Sequence, residues 1–361
     1  MKYLVTGGCG FVGAAICNRL RKETPTSKVT ALDNHRRRGS ETNRAGLEGI
    51  GVRVIHGDVR LPSDIAALGP FDWVIDASAE PSVLAGTGTT AHGATRQQLI
   101  EHNLVGTINL LEAAANWNAG VAILSTSRVY SIPVMAGLPL IENTASGSPC
   151  YQIDISKPLP SGAGGDGIAE HFATAAPVSL YGSTKLASEV LAREYAFAVG
   201  TPLIIDRCGV MAGAGQFGRA DQGIFSWWIH AWAAKRPISY IGFGGRGLQV
   251  RDCLHPADLG ELLVQQIANA KGGAPELVNV SGGIASATSL AQLSHWCTER
   301  FGPHAVGSAA ETRPYDAPWV VLDHGLASLK YGWTPSRHSE VIFEEIAEHA
   351  IRNPHWIETY A

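Results

Sequence analysis

LVTGGCGFVGAAI, residues 4–16, decides the fold. An apolar run ends at Thr6, glycines stand at 7, 10 and 13, and an amphipathic pattern begins at Phe11. That order reads as strand, tight turn and helix. A lone glycine fingerprint is weak, but its place between a strand and a helix strengthens it. Gly7, Gly10 and Gly13 would let the backbone turn sharply and approach a pyrophosphate. The helix start would add free N–H groups and a partial positive charge. The structural alternative is an ordinary strand–turn–helix corner.

Outward from this turn, short apolar runs alternate with amphipathic stretches. Residues 2–6, 28–32, 52–56, 72–76, 121–125 and 202–206 read as strands, and 11–23, 95–118 and 180–199 as helices. Near-continuous apolar strands suit a parallel sheet covered on both faces. The expectation is an α/β, Rossmann-type doubly wound parallel sheet. A smaller mixed α/β substrate domain should follow on the C-terminal side. The boundary is set at 1–206 and 207–361, with 248–282 returning in part to the first domain. Residues 224–235, 255–270 and 289–301 read as helices, with a strand at 276–280. The stretch 144–179, rich in Gly, Ala, Ser and Pro, reads as a long excursion, a loop of the kind that is functional or mobile.

Composition excludes several classes. Charged residues make up 17 % of the 361, and the formal net charge is −4. This favours neither nucleic acid nor anionic membrane as a partner. Six cysteines form no C-x-x-C pair, so no metal site or disulfide framework is expected. The N-terminal stretch is broken by glycines and reads as no signal peptide, and no apolar run is long enough to span a bilayer. A reduced, cytoplasmic protein is the expectation.

Asp33 ends the second strand about twenty residues past Gly13, where an acid can take both ribose hydroxyls of a dinucleotide. A carboxylate there repels a 2′-phosphate and favours NAD. Arg36, Arg37 and Arg38 pull toward NADP unless they only line a solvated loop. Asp58, after the third strand, suits an adenine amino group, and equally a turn or helix cap.

Chemistry is expected at a second place. Tyr181 and Lys185 lie i, i+4 on one helix face. An ammonium beside a phenol stabilises the phenolate and tunes it for proton transfer near neutral pH. The strand ending ILSTSRVYS, residues 123–131, brings three hydroxyls to its end. Thr126 is the choice for the hydroxyl that holds a reacting oxygen beside Tyr181. Ser125 and Ser127 flank it and otherwise satisfy backbone groups there.

The segments TGGCGFVG, HGDVR, NLVGTINLLEA, STSRVY, YGSTK and QVRDCLHPADL stand in this order along nearly the whole chain. Together they resemble the extended short-chain dehydrogenase/reductase family of nucleotide-sugar enzymes. The resemblance implies a tightly bound NAD and Thr126, Tyr181 and Lys185 as catalytic residues. It extends the cofactor site to Phe11, Val12, Asn34, Val59, Ala77, Ser78, Ala79, Asn103 and Ser125, with Asn103 ordering the nicotinamide end. A homodimer through the helices at 95–118 and 180–199 is also implied.

Within the family, the dehydratase branch carries an acid pair directly after the threonine, where this chain has Ser127 and Arg128. The chain resembles the CDP-tyvelose (CDP-paratose) 2-epimerase branch in the strand end, in RADQGIFSWW, QVRDCLH and ETRPYDAPWVVLD, and in the Lys157–Pro158 insertion. It departs from that branch at 76–90 and in VYS, both near the expected sugar pocket. The implied function is NAD-dependent epimerisation of a nucleotide-sugar, CDP-linked before UDP-linked, through transient oxidation and hydride return. Another sugar enzyme of the same family (4-epimerase, reductase, decarboxylase) or a non-catalytic NAD-binding protein are the alternatives. Ser127, Arg128, Asp221, Gln222, Arg251 and Arg313 are the candidate substrate ligands. Each arginine has a structural ion pair as its alternative, and Asp221 has a helix cap. Trp227, Trp228 and Trp232 read as core or interface rather than a base-stacking platform, and His255 as a cap or packing residue rather than a catalytic one.

Overall fold

The computed structural model describes residues 1–85, 87, 94–144, 147–219, 222–271, 276–311 and 313–360. Asp221 lies outside them. Seven strands form the main sheet: β1 (Lys2–Thr6), β2 (Lys28–Asp33), β3 (Arg53–His56), β4 (Trp73–Asp76), β5 (Gly120–Thr126), β6 (Leu203–Cys208) and β7 (Glu276–Val280). Their order is β7–β6–β5–β4–β1–β2–β3. β1 pairs in parallel with β2 and β4, β2 with β3, and β4 with β5. The chain winds outward from β1 in one direction and from β4 in the other, so the order reverses between them. Ligands of open α/β sheets bind at such a reversal, beyond the carboxyl ends of the strands.

The sheet is covered by α1 (Phe11–Glu23), α2 (Gly106–Trp117), α3 (Ser179–Val199) and α5 (Pro256–Asn269), while α4 (Ile224–Ala233) lies elsewhere. Every residue of β5 and β6 is buried, which explains their unbroken apolarity. On one face, Leu4, Val74, Val121 and Ile123 join Leu110, Leu111 and Ala114 of α2 and Ala192 and Ala196 of α3 in one core. Truncating a leucine there to alanine costs about 2–5 kcal/mol. α1 packs against α5, and Arg19 donates to Glu261 across that contact at 2.7 Å.

The chain divides into two compact units, one of 1–129, 180–207 and 256–278, the other of 130–179, 208–255 and 279–361. The second is about as long as the first, because 130–179 belongs to it. This corrects the placement of 130–179 in the first domain, while the break itself falls at 207 and 256–278 lies in the first unit. The segment forms hairpins at Leu140–Asn143 with Cys150–Ile153 and at Ala163–Gly164 with Gly167–Ile168. It is tied down within its unit by hydrogen bonds. The Asn279 side chain donates to the Ile168 carbonyl at 2.8 Å and accepts from the Tyr130 hydroxyl at 2.6 Å. The Ile168 amide donates to the Val321 carbonyl at 2.9 Å. The composition that looked loop-like supplies tight turns; Gly162 leaves no room for a Cβ against the Phe172 backbone, 2.5 Å away.

The core of the second unit is aromatic. Trp228 and Trp232 of α4 are 1 % exposed, and Trp228 donates to Ser294 at 3.1 Å and stacks on Tyr240. The fully buried Asp252 accepts from the Val210 and Leu322 amides and the Ser281 hydroxyl, tying three segments together. His255 pairs with Glu345 at 3.0 Å. Among the described residues, no helix is long and apolar enough to cross a membrane, and no cluster of metal-ligating groups is present.

Asp206 on β6 is fully buried and accepts from the Gln266 amide at 2.7 Å. Burial, helped by the charge of Glu276, lifts its carboxyl to about 7. In the unfolded chain the same carboxyl ionises near 4. As pH rises from about 4 to 7 the unfolded state releases a proton that the native state keeps, and this stability is progressively lost. Asp206→Asn removes the effect. The melting temperature of the variant relative to wild type should therefore rise between pH 5 and pH 8; a constant difference would show that Asp206 titrates normally.

Candidate active site

The β1–α1 turn closes on itself. A Cβ on Gly13 would lie 2.1 Å from the Gly7 carbonyl oxygen, and one on Gly7, at φ +61°, would meet the Ala77 oxygen at 2.8 Å. These two positions demand glycine sterically. Gly10 is the N-cap of α1 and makes no side-chain cap, and no acid stands in the first helical turn. Gly10, Phe11 and Val12 remain partly exposed. Uncapped backbone donors at a helix start, approached closely through glycine, fit the pyrophosphate of a dinucleotide.

The buried carboxylate of Asp33 accepts from the Cys9 amide at 3.0 Å and the His35 amide at 2.8 Å. It thereby ties the end of β2 to the glycine turn. Asn43 donates to the Cys9 carbonyl from the other side at 2.9 Å. Asp58 is held by Arg60, whose Nη2 lies 2.6 Å from Oδ2, and by the Asn34 amide at 3.0 Å. Those bonds hold its carboxyl well below the usual carboxylate range, against the effect of burial. The pairing with Arg60 two residues on is the turn-type role weighed for Asp58. Val59 packs in the core against α2, at Gly106. Arg36 and Arg38 are exposed.

At the end of β4, Asp76 is 1 % exposed and accepts from Thr6, Thr107 and the hydroxyl and amide of Ser78. The Ser78 hydroxyl is thus engaged with protein. Ala77 and Ser78 lie directly over Gly7, and the chain then passes Ala79 to Glu80. Asn103, fully buried, accepts from the Glu80 amide at 2.7 Å and donates to its carbonyl at 3.0 Å. It sits in a π-helical turn, Glu101–Val105, inside what the sequence reads as one continuous helix. The wider turn carries an extra residue at a site, a frequent functional use of such bulges. Asp76 was missed by sequence reasoning; its signal was an acid ending a fully buried strand.

Thr126 ends β5, 9 % exposed, and its hydroxyl accepts from the Arg128 amide at 3.2 Å. Ser127 is buried and Arg128 half-buried in the 3-10 turn that follows. On α3, Tyr181 is 8 % and Lys185 2 % exposed, and Tyr181 packs with Leu99 and Ala85. A lysine this buried is unusual on a helix, where such pairs normally face solvent. Ser125 donates to Glu189 at 2.5 Å, which gives its hydroxyl a protein partner where a cofactor contact was expected.

In the second unit, Arg251 donates to Asp316 at 2.5 Å and to the Val250 and Ala317 carbonyls. This is the structural ion pair weighed as its alternative role. Arg313, partly exposed, opens the turn whose Asp316 amide returns to its carbonyl at 3.2 Å. Gln222, also partly exposed, pairs its backbone with Arg219 just before α4, whose N-cap is Gly223.

A family model described as NAD dependent epimerase/dehydratase family matches residues 3–281. The chain is 28 % identical over 305 residues to the CDP-paratose 2-epimerase of Salmonella typhi, spanning 81 % of this chain and 82 % of that protein. It is 27 % identical over 258 residues to the dTDP-glucose 4,6-dehydratase of Mycolicibacterium smegmatis, spanning 72 % of this chain and 66 % of that one. Among solved structures, UDP-glucuronic acid 4-epimerase from Bacillus cereus, in complex with UDP-glucuronic acid and NAD, has the same fold. It matches with a TM-score of 0.79 at 22 % identity over 98 % of this chain and 99 % of that one. A dinucleotide turn that only glycine can close and a family match running from β1 through β7 lead to one conclusion: the chain belongs to the NAD-dependent epimerase/dehydratase family.

Proposed function

We propose that the protein is an epimerase acting at C2 of a CDP-linked sugar. The observation that carries this reading is the end of β5, where Ser127 and Arg128 follow Thr126. Neither side chain can act as the acid–base pair that expels water from a sugar. The likeness to a CDP-paratose 2-epimerase supports both the nucleotide and the carbon.

Gly7, Gly10, Phe11, Val12 and Gly13 would hold the pyrophosphate of NAD, with Asp33 taking the ribose hydroxyls and Asn34, Asp58 and Val59 flanking the adenine. Ala77, Ser78, Ala79 and Asn103 would line the nicotinamide end. NAD bound there supplies a reversible hydride acceptor. Tyr181, as phenolate, takes the proton of the sugar hydroxyl and gives it back to the same oxygen. Thr126 donates a hydrogen bond to that oxygen, and Lys185 keeps the phenolate charged. The keto-sugar then presents its other face before the proton returns. Ser127, Arg128, Gln222, Arg251 and Arg313 are the proposed substrate ligands, with Arg251 also paired to Asp316 in the turn that Arg313 opens.

The first unit also exposes apolar side chains on α3: Val190 and Phe197, seven residues apart on one face, with Phe197 82 % exposed, and Val199 near the helix end. Ile100 and Val105, just before α2, are exposed as well. We assign these faces to a second copy of the chain.

Proton NMR of the purified enzyme with CDP- and UDP-linked sugars should show C2 inversion of the CDP-sugar with no net NADH. Accumulating NADH, or inversion at C4 of a UDP-sugar, would replace the reading. Tyr181→Phe should keep its NAD and lose about 10²–10⁴-fold in kcat. Phe197→Glu should shift a sedimenting dimer to monomer, whereas a wild-type monomer would remove the assignment of that face.

A further inference from the structure

On α3 the residues 181, 185 and 189 recur every fourth position, so they follow one another along one face. Glu189 is 1 % exposed, as deeply buried as Lys185 one turn before it. Its carboxylate is bound on both oxygens. Arg207 on β6, 5 % exposed, donates from Nε to Oε1 at 3.0 Å and from Nη2 to Oε2 at 2.6 Å. Ser125 on β5 donates to Oε1 at 2.5 Å. One buried carboxylate therefore joins a helix to two neighbouring strands. It does so at Ser125, the residue immediately before Thr126.

The cluster is costly to build. Two charges are withdrawn from water, and a well-packed apolar pair would hold the same elements together at least as stably. What an apolar pair lacks is direction: a guanidinium–carboxylate fork and a short hydroxyl bond fix angle and distance together. The loss of freedom falls on the helix face that carries Tyr181 and Lys185 and on the strand end that carries Thr126.

We propose that Glu189 is a positioning residue of the reaction, with Ser125 as its anchor on β5, setting the separation of the Tyr181–Lys185 face from Thr126. The proposal rests on the active-site reading above. It moves Ser125 from the cofactor to the scaffold. Placement of reacting groups is steeply rewarded, since an error of about 1 Å can cost about 10²-fold in rate.

Ser125→Ala tests it with little risk to folding, because the Glu189–Arg207 pair stays intact. The expected result is a fall in kcat of about tenfold or more with KM unchanged and NAD retained through desalting. The acid limb of the kcat–pH profile should move to higher pH, since a looser Lys185 stabilises the phenolate less. In a Glu189→Met/Arg207→Met background, which leaves neither a buried charge nor an acceptor for the Ser125 hydroxyl at 189, Ser125→Ala should add no further loss. Three results would overturn the proposal: loss of NAD with kcat unchanged at saturating NAD, a lower melting temperature with kcat and pH profile unchanged, or a full additional loss in the double-variant background. Tyr181→Phe in the same series separates the two readings. If it is inactive, those results remove only the positioning role; if it turns over fully, the active-site reading falls and this proposal with it.

Discussion

The close approach of Gly13 to the Gly7 carbonyl is the constraint on which the first unit depends. At 2.1 Å from that oxygen there is no room for any side chain on residue 13, so the start of α1 is pressed against the end of β1. The loop after β4 lies on the same turn, at Ala77 and Ser78, and Asp33 ties the end of β2 to it through the Cys9 amide. Three strand ends are thereby gathered around one uncapped helix start. A larger residue at 7 or 13 would disturb all of them together.

Buried carboxylates then fasten the strand ends. Asp76 holds the end of β4 to β1 and α2, Glu189 holds α3 to β5 and β6, and in the second unit Asp252 gathers three segments. Each is surrounded by donors, as burial of a charge requires. These side chains sit where the sheet stops and apolar packing can no longer orient the backbone. Hydrogen bonds supply direction there, and direction is what a site made of strand ends and one helix face needs.

Much of the fold was legible because its signals are local. The seven strands of the main sheet lie within a residue or two of the apolar runs, and the main helices follow their amphipathic periods. The π-turn at Glu101–Val105 was not legible, since one additional residue in a helix leaves no mark in an amphipathic pattern. Nor was the allegiance of 130–179, which depends on a residue as distant as Asn279 donating to Ile168. Glycine, serine and proline report that a chain turns, not what it turns against. Arg251 shows the same limit: its neighbours in sequence resemble a substrate-binding motif, while its partner Asp316 lies 65 residues away.

Spacing along the chain was enough to specify the dinucleotide turn, the order of strands and helices, and the placement of Tyr181 and Lys185 on one helix face. Each follows from spacing along one stretch of chain, and local sterics read spacing directly. Tertiary structure alone decided which polar groups are occupied by protein. Ser125 binds Glu189, Ser78 binds Asp76, and Arg251 binds Asp316, through contacts spanning 2 to 65 residues. A hydroxyl or guanidinium has the same chemistry whether its partner is a substrate or a buried carboxylate. Only folding, by removing water from around it, fixes which of the two it meets.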